Sequence, residues 1–459
     1  MKTNSLKIAA FFAAASIFLL SCDKDKIEIN DPDGEPTMMT VGVTFPNSAT
    51  KASNQYESGT EAESKIHYVD IFIYSATTGN FLSYNRLDAS KFNYKGDNGS
   101  ANMYTATAKI PTTTGKRIVF AGINLPQELA KGLDGKHLSA LAGSVQEMSK
   151  AELIGDSEDK FAMFSVEGEE ADFKYDEALN NISLRCQRLV AKIVVEKDPL
   201  MKLDGVAGVF LGDELTYGIN NFNRKMFLLQ GDAPFKDPNW AAGSYNNGAD
   251  FNVLADFKDY AEVKGFDKNV LSSMPLYTSE NTSEAKTKRE LTRATVRAQF
   301  IPEKIADWDD DKKTLKHVSN TNYPTVAKTF YAVVASIYDG TYYFLDEDMA
   351  KEFAEYKTDD LKLTIPIEPI KYTDGWCYWD IFLNRNPLTP ANQWDVLRND
   401  FYRCKITRIT TPGRSGPDID APGGGGTGPD EKPDTDTNIS VDIEVLHWQY
   451  RGVEEYELY

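Results

Sequence analysis

Histidine is scarce in this chain of 459 residues, and the four present, His67, His137, His317 and His447, stand in unrelated contexts. No two of them have the i, i+4 spacing of a helical metal site, and there is no GxSxG elbow, phosphate-binding loop or glycine-rich dinucleotide turn. The acidic run Asp307-Trp308-Asp309-Asp310-Asp311 resembles part of a calcium loop. It has neither the glycine nor the distal glutamate of an EF-hand, so it reads as a solvated turn. Carboxylates are plentiful, yet nothing selects two of them as a glycosidase pair. No catalytic, cofactor-binding or metal-binding residue is assigned, no cofactor is expected, and the chain does not read as an enzyme.

Basic clusters are also missing. Lys and Arg total 50 against 69 Asp and Glu, a net charge of −19, which argues against nucleic acid or an anionic membrane surface as a partner. Long apolar runs are limited to one, Ile8 to Leu20, too short to span a bilayer as a stable helix. It follows the basic residues Lys2 and Lys7 and ends in Leu19-Leu20-Ser21-Cys22, a lipobox-like close. Residues 1–21 therefore read as a lipoprotein signal peptide, and Cys22 as the lipidated first residue of the exported form. Acyl chains such as palmitate contribute about 0.8 kcal/mol per buried methylene, enough for several on one cysteine to hold the precursor to a membrane. The remaining cysteines, Cys186, Cys377 and Cys404, are odd in number and match no CxxC or zinc spacing. A disulfide between Cys377 and Cys404 would leave one thiol over, and three small core or surface residues is the simpler reading.

What the sequence does contain is β structure. Ile439, Val441, Ile443 and Val445 alternate with Ser440, Asp442 and Glu444 and lead to Trp448, the pattern of a half-buried strand. The Gly/Pro/Asp tract 412–437 before it excludes a tight local hairpin, so the strand is expected to be carried to a partner that can lie in another molecule. Near the other end Met39, Val41, Val43 and Phe45 repeat the same pattern. Both can equally be edge strands of one sandwich.

Between them, Asp23 to Pro36 reads as a charged tether and Pro46 to Thr60 as a small polar loop with one basic residue, Lys51, followed by Ala52. Strands are expected over Ile66–Ser75, Tyr104–Ile110 and Lys116–Asn124, then over Thr329–Ile337, Thr341–Phe344, Leu361–Ile370 and Tyr402–Ile409. Ser139–Glu152, Asp256–Val263 and Asp346–Tyr356 read as helices. The run Ile182 to Glu196 slips phase between Cys186 and Leu189, as at a bulge or a strand crossing between sheets. The domain boundary is placed at its start. The segments are then 1–21 signal peptide, 22–51 propeptide with a removable strand, 52–181 and 182–411 β-sandwiches, 412–437 linker and 438–459 last strand.

The ending TNISVDIEVLHWQ, the stretch VLRNDFYRCKITRI with Gly413 and Pro417 after it, the segment GTEAESKIHYVDIFIYS and the strand RLVAKI together resemble the fimbrillins, the major subunits of type V pili. The resemblance implies an all-β chain of two tandem transthyretin-like β-sandwich domains, exported to the outer-membrane surface, with a membrane contact only through the lipid of the precursor. It implies a trypsin-like protease that removes the strand bearing Met39, Val41, Val43 and Phe45. The C-terminal strand of a like subunit would fill the vacated groove, building a homopolymer with accessory anchor and tip subunits that supports adhesion. Fimbrillins of this kind are typically cut after an arginine, and here the loop offers Lys51. The competing expectation is a glycan-binding surface lipoprotein in which Trp376, Trp379 and Trp394 form a sugar platform and the last strand folds back on its own domain.

Overall fold

The computed structural model describes residues 34–44, 56–58, 60, 62–97, 102–203, 207–211, 215–223, 225–231, 235–241, 251–252, 261–263, 275–336, 340–384, 390–424, 428–433 and 439–449. In its first part the chain forms β1 (Pro36–Thr44), β2 (Tyr56–Ser58), β3 (Tyr68–Ser75), β4 (Phe81–Asp88), β5 (Phe92–Asp97), β6 (Asn102–Ala106) and β7 (Ile110–Thr113). There follow β8 (Gly115–Ile123), β9 (Val145–Glu147), β10 (Met163–Ser165), β11 (Glu169–Phe173) and β12 (Asn181–Arg188). Most of these join one ten-stranded sheet in the order β4-β3-β8-β10-β12-β1-β6-β5, with β11 added to β8 and β7 to β1.

The alternation in β3 predicts one apolar face, and Val69, Ile71 and Ile73 are indeed buried, but so are Phe72 and Tyr74. Aromatic packing covers that second face. Phe72 stacks on Tyr84 with centroids 5.3 Å apart, and Tyr74 meets Phe81 and Phe120 edge-on.

The run Ile182 to Glu196 passes between sheets. β12 buries Ile182, Leu184 and Cys186, then Leu189 and Val190 are buried in succession and β13 (Val190–Leu203) belongs to a different sheet. The phase slip between Cys186 and Leu189 is thus a crossing: β12 is hydrogen-bonded into the first sheet through β1 and β10, and β13 pairs with β28 and β20.

Beyond it come β14 (Gly208–Phe210), β15 (Leu215–Asn220), β16 (Phe222–Asn223), β17 (Lys225–Phe227), β18 (Phe251–Asn252), β19 (Ala261–Val263), β20 (Leu276–Ser279) and β21 (Arg293–Pro302). The last are β22 (Lys304–Asp309), β23 (Thr314–Ser319), β24 (Phe330–Ser336), β25 (Gly340–Phe344), β26 (Ile370–Tyr372), β27 (Trp376–Phe382), β28 (Asp400–Ile409) and β29 (Ile439–Gln449). One sheet runs β2-β29-β28-β13-β20 and another β14-β21-β15-β19, with β27 on β21. Ile193 and Val195 of β13, Cys404 and Ile406 of β28, and Val296, Phe300 and Trp379 share the second core. The chain is all-β in class, with few and short helices. The longest helix among the described residues, Glu347–Asp360, is capped by Asp346 and packs Phe353 on Trp308 at 5.1 Å.

Several local expectations change. Ser139–Glu152 is two helices, Leu138–Gly143 and Lys150–Ile154, because Val145–Glu147 is drawn into pairing with β17 and Ser149 and Glu152 close a capping box that restarts the helix. Asp256–Val263 lies partly outside the described residues, and its end, Ala261–Val263, is a strand on β15. Leu361–Ile370 turns strand only at Ile370, since Pro366 and Pro369 cannot donate to a ladder. Cys186, Cys377 and Cys404 are buried free thiols. The acidic run ends β22 and enters a turn in which Lys312 pairs with Asp309 and Lys313 with Asp310, 2.6 Å apart in the latter. Trp379 and Trp394 are core residues, and Trp376 lies under Arg297, so these three do not form an open sugar platform.

Candidate functional site: the first strand, the last strand and what holds them

β1 fills an interior slot of the first sheet. It runs parallel to β12, Thr40 opposite Asn181 through Thr44 opposite Arg185, and antiparallel to β7 and then β6 on its other side. Met39, Val41 and Val43 are fully buried, as their spacing predicts, beside Ile182, Leu184 and Ile110 in the same core. At about 1.5 to 3 kcal/mol each, their burial is worth on the order of 5 to 9 kcal/mol before ordering costs. On the opposite face, Asn181, Ser183 and Arg185, the cross-strand neighbours of Thr40, Gly42 and Thr44, are exposed.

The leading end of β1 is clamped by polar groups that sequence reading did not single out. The Asn180 side chain donates from Nδ2 to Thr37 Oγ1 (3.1 Å), to Met38 O (3.0 Å) and to Lys174 O (2.8 Å), while its Oδ1 accepts from Lys174 N (2.8 Å). Thr37 Oγ1 in turn donates to Lys174 O at 2.9 Å, and Thr40 N donates to Asn180 O at 2.8 Å. Thr37 and Asn180 are 5% and 1% exposed, so the bond between their side chains is made away from water. A single asparagine at a loop–strand junction has no pattern by which a sequence would reveal it.

The last strand is not without a sheet in its own chain. β29 lies antiparallel to β28, Ile409 opposite Ile439, Ile406 opposite Val441, Cys404 opposite Ile443 and Tyr402 opposite Val445. The expectation that it is carried past its own fold is thereby corrected for this state of the chain. β28 has β13 on one side only, and an unpaired edge on the other would leave its backbone groups open. On the far side of β29 sits β2, with Tyr56 opposite His447 and Glu57 opposite Trp448. The two look-alike strands therefore belong to different sheets and do not meet.

Directly after β2 the chain is pinned at the junction of the two cores. Glu63 is 1% exposed and its Oε1 lies 2.9 Å from Lys192 Nζ and accepts from Tyr277 Oη at 2.6 Å. Arg188 donates to Glu63 O and to Ser64 Oγ, and Thr60 N donates to Glu63 Oε2. Burial pushes the Glu63 carboxyl up, but Lys192, Tyr277 and Thr60 outweigh it and hold it below the usual range. Thr60 and Glu63 close a reciprocal capping box, Thr60 N on Glu63 Oε2 and Glu63 N on Thr60 Oγ1, and their T-x-x-E spacing is a signal the sequence carries.

The described residues of the tract 412–437 are fastened as well. Arg414 exchanges both backbone bonds with Tyr378, Tyr372 Oη donates to Gly413 O at 2.8 Å, and Trp379 Nε1 donates to Thr411 O at 3.0 Å. Gly413 has φ +72°, and a Cβ there would stand 2.3 Å from Tyr378 O, so only glycine fits. Farther on, Lys288 N and Arg289 N donate to Glu431 O and Pro429 O.

Of the residues singled out from sequence, Met39, Val41 and Val43 come together in the β1 slot, and Ile439, Val441, Ile443, Val445 and Trp448 share β29. Cys22, Phe45, Lys51 and Ala52 lie outside the described residues. Among the described residues no group of His, Cys, Asp and Glu is placed to hold a metal ion.

Residues 39–170 match the family of the major fimbrial subunit protein (FimA), and residues 370–454 match the C-terminal part of fimbrillin, major fimbrial subunit protein type IV. The chain is fimbrillin-like. The two matches include the slot strand from Met39 and the whole of β29. No curated protein matches the sequence. Among solved structures, the fimbrillin-like chain is similar to a fimbrilin (fimA) from Porphyromonas gingivalis at 12% identity, over 90% of this chain and 98% of that one, with a TM-score of 0.46. A fimbrial assembly protein from Parabacteroides distasonis is 10% identical over 81% and 92% of the two chains, TM-score 0.38. A tip fimbrial protein from Porphyromonas gingivalis is 12% identical over 90% and 100%, TM-score 0.37. The family matches support a structural subunit of a pilus.

Proposed function

We propose that this chain is the stalk subunit of a cell-surface fimbria, exported as a lipoprotein on Cys22, trimmed in the loop around Lys51 and Ala52, and polymerised by exchange of β1 for β29 of the next subunit. The observation that carries the reading is the seating of β1. It is an interior strand of its sheet, yet it enters from one end of the described chain and leaves into the 45–55 stretch, so one cut there separates it from the fold. Its fully buried Met39, Val41 and Val43 have the spacing of Ile439, Val441 and Ile443. With those superposed, Glu444 takes the place of Thr44, whose cross-strand neighbour is the exposed Arg185, and an opposite-charge pair across strands is favourable.

Before the cut, β1 competes for the slot as a covalently attached strand at high effective concentration, and a neighbour's β29 does not match it. After the cut that advantage is gone. In this reading β29 on β28 is the resting position of the donor strand, adhesion is the service of the finished filament, and anchor and tip subunits of similar build complete it. The test is native trypsin treatment of purified precursor, with mapping of the new N-terminus and sizing of the product. A cut within Pro46–Thr60 followed by polymer growth is expected. A Lys51→Gln precursor, left uncut in that loop, that polymerises as fast as the trimmed protein would overturn the proposal.

A further inference from the structure

The Asn180 clamp at the leading end of the β1 slot is a register reader, and we infer that it recognises Thr437 of a second copy of this chain as it recognises Thr37 here. The inference rests on the strand exchange proposed above. Two observations independent of that reading bear on it. The first is geometric: Thr37 is held on both sides of its hydroxyl, accepting from Asn180 Nδ2 and donating to Lys174 O, with Thr37 and Asn180 both buried. Removal of the strand takes the Thr37 hydroxyl away from Asn180 Nδ2 and Lys174 O, so an incoming strand that supplies a hydroxyl there is favoured over one that does not.

The second is in the sequence. Superposing Ile439, Val441, Ile443 and Val445 on Met39, Val41, Val43 and Phe45 aligns Thr437 with Thr37 and Ser440 with Thr40. The hydroxyl therefore falls on the clamp without adjustment. Thr40 N donates to Asn180 O, and any residue but proline at that place repeats the bond.

Register follows from the clamp and the pocket together. A slip of one residue puts Asp442 and Glu444 on the buried face. A slip of two toward the C-terminus of the slot offers Thr435 to Asn180 but lodges the Thr437 hydroxyl in the fully buried Met39 position, where the core supplies apolar neighbours. The opposite slip presents Ile439, with no hydroxyl, to the clamp. One register satisfies both ends of the slot.

The test uses trypsin-trimmed full-length subunit and labelled synthetic peptides of residues 434–449. The wild-type peptide is expected to bind, Thr437→Ser to bind nearly as well, and the isosteric Thr437→Val about five- to tenfold more weakly, the loss of a buried hydrogen bond. On subunit carrying Asn180→Ala the gap between the Val and Thr peptides should narrow, since only the bond to Lys174 O is left to the hydroxyl. Because Asn180 also braces Lys174, a second measurement leaves it in place: trimmed subunit carrying Thr37→Val should surrender β1 to wild-type peptide several-fold faster than trimmed native subunit. If the wild-type peptide does not bind at all, strand exchange itself fails. If it binds and Thr437→Val binds equally well to native subunit, the register reader alone is overturned.

Discussion

Arg289 grips Asp420 at two points, Nη1 to Oδ2 at 2.7 Å and Nη2 to Oδ1 at 2.6 Å, and its Nε reaches Asp430 at 2.8 Å. One side chain thus fastens two places of the tract that leads to β29.

Removal of the grip should loosen the tract without unfolding the subunit. These charges are partly exposed, so Arg289→Ala is expected to cost about 1 kcal/mol or less in global stability. Proteolysis within 412–437 should accelerate several-fold by mass spectrometry of timed digests. An unchanged rate would assign the restraint to the backbone bonds from Lys288 and Arg289 alone.

Stability should fall as pH rises through mild acidity. Burial pushes the Asp237 carboxyl up to about 7 against the pull of the Thr282 and Asn239 backbone N–H groups, and burial raises Asp395 to about 6 against the pull of Lys286. A carboxyl raised in the folded state keeps a proton that the unfolded chain releases near pH 4, so the stabilising protonated form is lost between about pH 4 and 7. Denaturant melts at half-unit pH steps should show this decline. Asp237→Asn should flatten it most between pH 6 and 7; the native slope retained there would assign the titration to another group.

Glu63 works in the opposite sense. Its folded value lies below its ordinary one, so its contribution is present above about pH 4.5 and is lost as pH falls through the depressed value. Lys192→Met should cost about 3 to 5 kcal/mol at neutral pH by leaving a buried charge without its cation, and pairing it with Glu63→Gln should restore much of that. A double variant no more stable than the single one would contradict the pairing.

Val441→Asp together with Ile443→Asp should act on two processes. These positions lie opposite Ile406 and Cys404 on β28, so the subunit should lose some stability, and polymer growth after trimming should cease. Heat-resistant ladders on gels from this variant would contradict the role proposed for β29.

Much of this was legible in the sequence where one face of a strand is buried. The alternations at Met39–Val43 and Ile439–Val445 gave strands, and the slip between Cys186 and Leu189 marked a break that fits a bulge as well as the crossing found there. What stayed hidden were contacts made across long separations by single polar residues, Asn180 on Thr37, Lys192 on Glu63 and Arg289 on Asp420, which leave no periodic trace. Composition misled in one place: the Gly/Pro tract reads as coil, yet Gly413 serves close backbone approach, and Arg414 ties the tract to β27.

The crossing at Leu189 joins two parallel strand pairs through one continuous stretch of chain. β12 is the parallel neighbour of β1, and β13, which continues it, is the parallel neighbour of β28. In a filament joined through the β1 slot, pulling force on an incoming strand enters β12 along its length, runs through Leu189 as covalent chain and leaves by β28 toward the next link. Both hand-overs load many hydrogen bonds in shear at once rather than peeling them singly, the geometry a fibre under flow requires.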